Sequence, residues 1–153
     1  MSVALIHLQA LMESLGPSSS WIDSLIQEAS NSWTLQSSDG LSIAMTFNLE
    51  TSRLFLSALL GHPEETHQAE IYATMLCSNL LHAEDNSLRV ALTGPSGELM
   101  LISEVSLTDW TIASLQHCIV HFHQHASRLM EEIHAITDIE TAPEISERDF
   151  LRA

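Results

Sequence analysis

The sequence contains no lysine, and its five basic residues are all arginines, against twenty aspartates and glutamates. The formal net charge of −15 excludes the positive face that proteins present to nucleic acids or anionic membranes. No run of about 18 apolar residues occurs, which is the length that a transmembrane helix needs. We therefore predict that the protein neither binds nucleic acid nor inserts into a membrane.

Cysteine is also scarce. Cys77 and Cys118 are the two cysteines and form no CxxC pair, which excludes a disulfide scaffold and fits a reducing compartment. The first residues, MSVALIH, lack the basic segment of a secretory signal peptide. These features predict a cytoplasmic protein.

Several enzyme signatures are missing. A Walker A motif needs a lysine, and neither GxGxxG nor HExxH occurs. Residues 94–97 (GPSG) do not match GxSxG, because the second glycine comes one residue early. We predict no enzymatic activity and no cofactor.

The apolar spacing predicts one α+β domain over residues 1–137, an antiparallel sheet with helices packed on it in the order α-β-β-β-α-β-β-α. A short additional helix is expected around Trp21. An Asp39-Gly40 turn predicts a hairpin, followed by a third strand over residues 53–60. The middle helix is expected to begin at Pro63, and the sequence SLTD at 106–109 predicts a capping box before the last helix.

The last helix has the clearest pattern, because its apolar residues recur at alternating steps of three and four. These residues are Ile112, Leu115, Ile119, Phe122, Ala126, Leu129, Ile133 and Ile136. The acidic segment 138–153 loses this period and contains Pro143. We predict that it is a mobile C-terminal tail.

The apolar residues exceed what one small core requires. Phe55 and Leu59 lie on the opposite face of the third strand from its other apolar residues. The middle helix is apolar around most of its circumference, which indicates burial on more than one side. Contiguous apolar surface usually marks an interaction site, so we predict self-association and grooves for an extended peptide.

Three histidines, His117, His121 and His125, share one face of the last helix, where neutral imidazoles could chelate zinc or nickel. A closed metal site needs a full ligand set and supporting hydrogen bonds, and the sequence identifies neither. The preferred interpretation is a solvated stripe without a native metal. A metal-binding protein or metal-dependent enzyme built on these histidines stays as the alternative.

Three segments, together with the acidity and the order of elements, resemble class I type III secretion chaperones of the Tir-chaperone (CesT) family. The segments are FNLETSRLFLSALLG, AEIYATMLCSNLL and LRVALTGPSGELMLISEV, within a resemblance that covers residues 3–134. The resemblance implies a homodimer in the bacterial cytoplasm that binds the N-terminal segment of a secreted effector. Such a chaperone keeps the effector soluble and secretion-competent without using ATP, and delivers it to the secretion ATPase.

The resemblance also implies which residues form the two binding surfaces. The dimer interface would consist of Ile71, Tyr72, Met75, Leu76, Leu88, Val90 and Leu92. The effector would contact Leu5, Leu8, Leu11, Met12, Phe55 and Leu59. Residues 21–31 and the acidic tail depart from the family pattern, and a non-secretory acidic adaptor of the same fold is a further alternative.

Overall fold

A computed structural model describes residues 2–82, 88–95 and 97–139, which form three helices and six strands. In chain order the elements are α1 (Val3–Ser18), β1 (Ile22–Ala29), β2 (Ser32–Ser37), β3 (Ser42–Asn48), β4 (Arg53–Gly61), α2 (Gln68–Leu81), β5 (Leu88–Leu92), β6 (Leu99–Ser106) and α3 (Ile112–Asp138). None of the helices in these ranges combines the length and the apolar character needed to span a bilayer.

All six strands join one sheet in the order β1-β2-β3-β4-β6-β5, and every neighbouring pair is antiparallel. The predicted hairpin is confirmed, with Asp39 and Gly40 in the turn between β2 and β3. Gly40 has a φ of 92°, a conformation that glycine adopts without steric cost. The predicted fold class, an antiparallel sheet with helices packed on it, is therefore confirmed.

The strand register places the buried residues of neighbouring strands on one face of the sheet. Leu35 lies opposite Ile43, and Met45 lies opposite Leu56. The three helices contribute to the same hydrophobic cluster. Their buried apolar residues are Leu5, Leu8, Met12, Leu15, Ile71, Met75, Leu115, Ile119, Phe122, Ala126 and Leu129. The core thus lies between this face and the helices.

The prediction of a short helix around Trp21 is wrong, because residues Ile22–Ala29 form strand β1. Leu25 pairs with Leu35, and Ile26 pairs with Thr34. The pairing shifts register near both ends of β1, which interrupts the two-residue alternation that would have identified a strand. The sheet therefore has one strand more than predicted.

Two predicted helix starts are also wrong. Helix α2 begins at Gln68 rather than at Pro63, which lies in the preceding loop. Ser106 is still part of β6, and the capping box of α3 is formed by Thr111 and Ser114. The Thr111 hydroxyl accepts a hydrogen bond from the Ser114 backbone N–H at 3.2 Å. Pairing with β4 keeps residues 99–106 extended and delays the helix.

The predicted pattern of the last helix is confirmed, since its central residues Leu115, Ile119 and Leu129 are fully buried. Helix α3 extends to Asp138, the first residue of the predicted mobile tail. Residues 140–153 lie outside the described residues.

Candidate functional site

The exposed side of α2 carries a dense group of apolar side chains. Leu76, Leu80 and Leu81 are 68%, 77% and 80% exposed, and Cys77 is exposed beside them. Residues three and four positions apart share a helix face, so these side chains form one continuous patch. Beside the patch, α2 and β5 border an apolar groove of about 230 Å³ that is lined partly by Tyr72. We call the patch and the groove the α2 surface.

Asn79 closes the free edge of the sheet next to the α2 surface. Strand β5 is an edge strand, and edge strands offer unpaired backbone groups to other chains. The Asn79 side-chain amide donates to the Val90 carbonyl at 3.0 Å, and its oxygen accepts from the Val90 N–H at 2.7 Å. A partner at this surface therefore meets side chains rather than a free backbone at Val90.

The structure divides the predicted dimer residues into two groups. Ile71, Met75 and Leu88 are buried within the chain itself. Tyr72 and Val90 are half-buried, whereas the side chains of Leu76 and Leu92 are exposed. Leu80 and Leu81, which the structure exposes on the α2 surface, are not among the predicted dimer residues, although their apolar character at the end of the helix was a usable signal.

A second apolar surface lies on the side of the sheet that faces away from the core. Phe55 and Leu59 of β4 are 42% and 49% exposed, and Ile26 of β1 is also exposed. Half-buried Met100 and Ile102 of β6 alternate onto the same side, with Met100 opposite Leu59. We call this the outer sheet face. Its exposed position is what the predicted roles of Phe55 and Leu59 require.

The structure corrects the predicted surface role of α1. Leu5, Leu8 and Met12 are buried, because the centre of the apolar arc packs into the core. Leu11 is half-buried and lines a groove of about 400 Å³ at the start of α1. The His7 ring closes one side of this groove by donating to the Trp110 carbonyl at 2.7 Å.

A third concave region, which we call the α3 cleft, lies beside the second half of α3. It has a volume of about 660 Å³ and is bordered by the β2–β3 turn and by outward-facing residues of β3, β4 and β6. His123 of α3 lies next to this turn, with its Nε2 atom 3.0 Å from Asp39 Oδ2. The Trp21 ring stacks at an angle on His123 with 4.8 Å between ring centroids.

These contacts change the acidity of Asp39. A hydrogen bond from the Ser37 hydroxyl, and then the one from His123, lower the pKa of Asp39 to about 2. The carboxylate therefore stays ionised at any pH near neutral. It joins the β2–β3 turn to α3 at one end of the α3 cleft.

The predicted histidine stripe is present on α3 but is solvated only in part, because His117 and His121 are exposed whereas His125 is buried. The rings of His117 and His121 stack with centroids 6.3 Å apart, and those of His121 and His125 with centroids 6.5 Å apart. The His82 ring meets His125 edge-on at 4.4 Å, and Arg128 donates to His82 Nε2 at 3.0 Å. Within residues 2–82, 88–95 and 97–139, no group of three or more His, Cys, Asp or Glu side chains is arranged to hold a metal ion.

Cys118 lies next to the histidine stripe but is poorly suited to nucleophilic chemistry. Burial raises the pKa of its thiol to about 11. At neutral pH the group is therefore an uncharged thiol, whereas the thiolate is the reactive form.

Comparison with known proteins gives one family. The model of the Tir chaperone protein (CesT) family matches residues 10–130. A comparison with curated proteins finds no match.

Solved structures share the fold at low sequence identity. A chain from the HopA1–SchA chaperone–effector complex has a TM-score of 0.64 at 14% identity, covering 86% of this chain and 98% of that one. A chain from the ExsC–ExsE complex has a TM-score of 0.63 at 17% identity, with coverages of 86% and 96%. YbjN from E. coli, a candidate transcription regulator, has a TM-score of 0.61 at 15% identity, with coverages of 86% and 91%.

Proposed function

Because the chain belongs to the Tir chaperone protein (CesT) family, we propose that it is a type III secretion chaperone for a secreted effector. It binds the N-terminal segment of the effector, keeps that segment soluble and secretion-competent, and does so without ATP. The observation that carries this proposal is the presence of two separate exposed apolar surfaces on a strongly acidic protein of this family.

The outer sheet face is the proposed effector-binding surface. An effector segment that is disordered when free loses conformational entropy on binding, at a cost of about 2–5 kcal/mol or more. Burial of apolar area must offset this cost. Phe55 and Leu59 supply such area, and because each is already about half covered, covering the rest contributes about half of the ~1.5–3 kcal/mol that full burial of such a side chain gives. Leu11 lies in a separate groove at the start of α1.

The α2 surface is the proposed homodimer interface. Leu76, Leu80 and Leu81 are too exposed to stabilise a lone subunit, and a second copy of the same surface would cover them. Because Asn79 occupies the edge of β5 at Val90, the contact there is made between side chains. The proposed form of the protein is a cytoplasmic homodimer, from which the secretion ATPase receives the effector.

A non-secretory adaptor is the second candidate, because YbjN shows that this fold is not confined to proteins from chaperone–effector complexes. A net charge of −15 opposes direct contact with DNA in either case. The two candidates differ in one measurable respect, which is whether secretion of an effector depends on the protein.

Deletion of the gene in its own bacterium tests the proposal. We expect one or a few proteins to disappear from the secreted fraction, as measured by mass spectrometry, and to return when the wild-type gene is restored. Leu59→Glu should fail to restore them, whereas Thr51→Glu, which adds the same charge in the exposed β3–β4 turn, should succeed. An unchanged secreted fraction after deletion would favour the adaptor.

A further inference from the structure

The α3 cleft combines an apolar floor with an open mouth. Ala44, Leu59 and Met100 reach it from three neighbouring strands, and Met130 reaches it from α3. Its volume of about 660 Å³ falls within the range of about 300–1,000 Å³ that is typical of ligand pockets. Because Leu59 and Met100 also belong to the outer sheet face, a polypeptide lying on that face can continue into the cleft.

The carboxylates that border the cleft differ in their surroundings. Asp39 already accepts hydrogen bonds from Ser37 and His123. Glu131 is exposed on α3 and forms no ion pair with any residue in the part of the chain that the structure describes. His134 is the one basic side chain among the described residues that line the cleft. Glu131 is therefore the carboxylate that is available to a ligand.

The charge of the cleft and of the whole chain indicates what it accepts. None of the arginines in the described ranges lines the cleft, and the chain carries −15 overall. An acidic segment would be repelled by this potential, whereas a basic one would be attracted. The apolar floor requires an apolar group. The segment that fits the cleft therefore carries both a basic residue and an apolar side chain.

We propose that the α3 cleft binds an extended segment of the effector through a large apolar side chain, and that Glu131 pairs with an arginine or lysine beside it. This inference rests on the proposed function and adds the kind of sequence that the effector presents. Glu131 then determines specificity, while Asp39 and His123 keep the end of the cleft in place.

Methionine methyl groups provide a direct test, because they are distributed over the molecule. Met100 and Met130 line the α3 cleft, Met75 lines the groove of the α2 surface, and Met12 and Met45 are buried. The probes are short fluorescein-labelled peptides with leucines at fixed positions and either arginine, glutamine or glutamate between them. In protein labelled with ¹³C-methyl methionine, the Leu/Arg peptide should shift the Met100 and Met130 signals more than those of Met75, Met12 and Met45.

Charge variants of equal net charge test the role of Glu131. Glu131→Gln should weaken binding of the Leu/Arg peptide about three- to fivefold, measured by fluorescence anisotropy, because an exposed ion pair is lost. Glu13→Gln, on the exposed side of α1, removes the same charge. It should change the affinity less than twofold, because an exposed charge away from the contact contributes little to binding.

Glu131→Arg should reverse the preference, so that the Leu/Glu peptide binds better than the Leu/Arg peptide. Ala44→Trp, which fills the cleft from its floor, should weaken binding of both peptides.

Two results would overturn the inference. One is a Leu/Arg peptide that binds but leaves the Met100 and Met130 signals in place. The other is an equal effect of Glu131→Gln and Glu13→Gln. Either result leaves the gene-deletion test of the proposed function intact, because loss of the secreted proteins on deletion and their return with the wild-type gene do not depend on where the effector contacts the protein.

Discussion

At the scale of single residues, two polar side chains attach helices to the sheet. Asn79 pairs with both backbone groups of Val90 and thereby attaches α2 to the edge strand β5. His123 pairs with Asp39 and thereby attaches α3 to the β2–β3 turn. Both contacts join residues that are distant in the sequence, and both lie next to a proposed binding region.

Removing the Asn79 side chain should leave the Val90 N–H and C=O without partners. We expect Asn79→Ala to lower the free energy of unfolding by about 1–3 kcal/mol, measured by urea denaturation, since unsatisfied polar groups are costly. Asn79→Asp keeps the oxygen that accepts from the Val90 N–H but places a charged oxygen, instead of the donor, against the Val90 carbonyl, so it should also lower the free energy of unfolding. A wild-type free energy of unfolding in either variant would contradict this account.

Acid should weaken the contact between Asp39 and its partners. The folded-state pKa of about 2 lies below the ordinary value of 3.8, so this stabilisation is complete above about pH 4 and is lost as the pH falls towards about 2. Because the carboxylate is half exposed, screening by solvent limits the contribution to about 1 kcal/mol or less.

Asp39→Asn should therefore flatten the dependence of unfolding free energy on pH in that range, measured by urea denaturation at several pH values. Asp23→Asn, which changes an exposed carboxylate on β1, is the control and should leave the slope as it is in the wild type. A wild-type slope in Asp39→Asn would contradict the prediction.

At the scale of the element, helix α2 has apolar residues on two faces, one towards the core and one towards solvent. Ile71 and Met75 face the core, whereas Leu76 and Leu80 face solvent. A helix in a small single-chain protein normally has one apolar face, and the second face of α2 is what the proposed dimer explains. Strand β1 shows the same mixture, with Leu25 towards the core and Ile26 exposed on the outer sheet face.

Leu76→Glu should abolish the dimer without unfolding the subunit, because Leu76 is mostly exposed in the single chain. Burying a leucine contributes about 1.5–3 kcal/mol, so its loss from both subunits should leave a monomer at micromolar concentration in light scattering. Gln124→Glu adds the same charge on the exposed side of α3 and should remain dimeric. A wild-type protein that is a stable monomer would contradict the proposed interface.

At the scale of the whole molecule, strong acidity accompanies exposed apolar surface. A formal charge of −15 produces repulsion between like chains and attraction for basic segments. The same charge therefore opposes the proposed dimer and favours the proposed contact with a basic effector segment.

Salt should affect these two associations in opposite directions. Raising ionic strength from about 0.05 to about 0.5 M shortens the screening length several-fold, which should tighten the dimer and weaken binding of the Leu/Arg peptide. Analytical ultracentrifugation and fluorescence anisotropy measure the two effects. If both associations strengthened with salt, the apolar contribution alone would control binding and the role of charge would be refuted.

The sequence by itself determined the fold class, the family and the core of the last helix. These rest on local features: apolar residues at steps of three and four in α3, strict alternation in β3, and the Asp39-Gly40 turn. Each of these patterns extends over enough residues to be recognised without knowledge of what packs against it. Strand β1 escaped recognition because irregular pairing near both of its ends breaks the alternation.

Only the tertiary structure decided which apolar residues remain exposed. Leu8 and Leu80 are equally apolar in the sequence, yet the first is buried and the second is exposed, because burial depends on which elements pack together. The α3 cleft likewise joins Asp39, Leu59 and Glu131 from three separate parts of the chain. The local sequence shows whether a residue is apolar or polar. Packing between elements that are distant in the chain determines which apolar residues become buried.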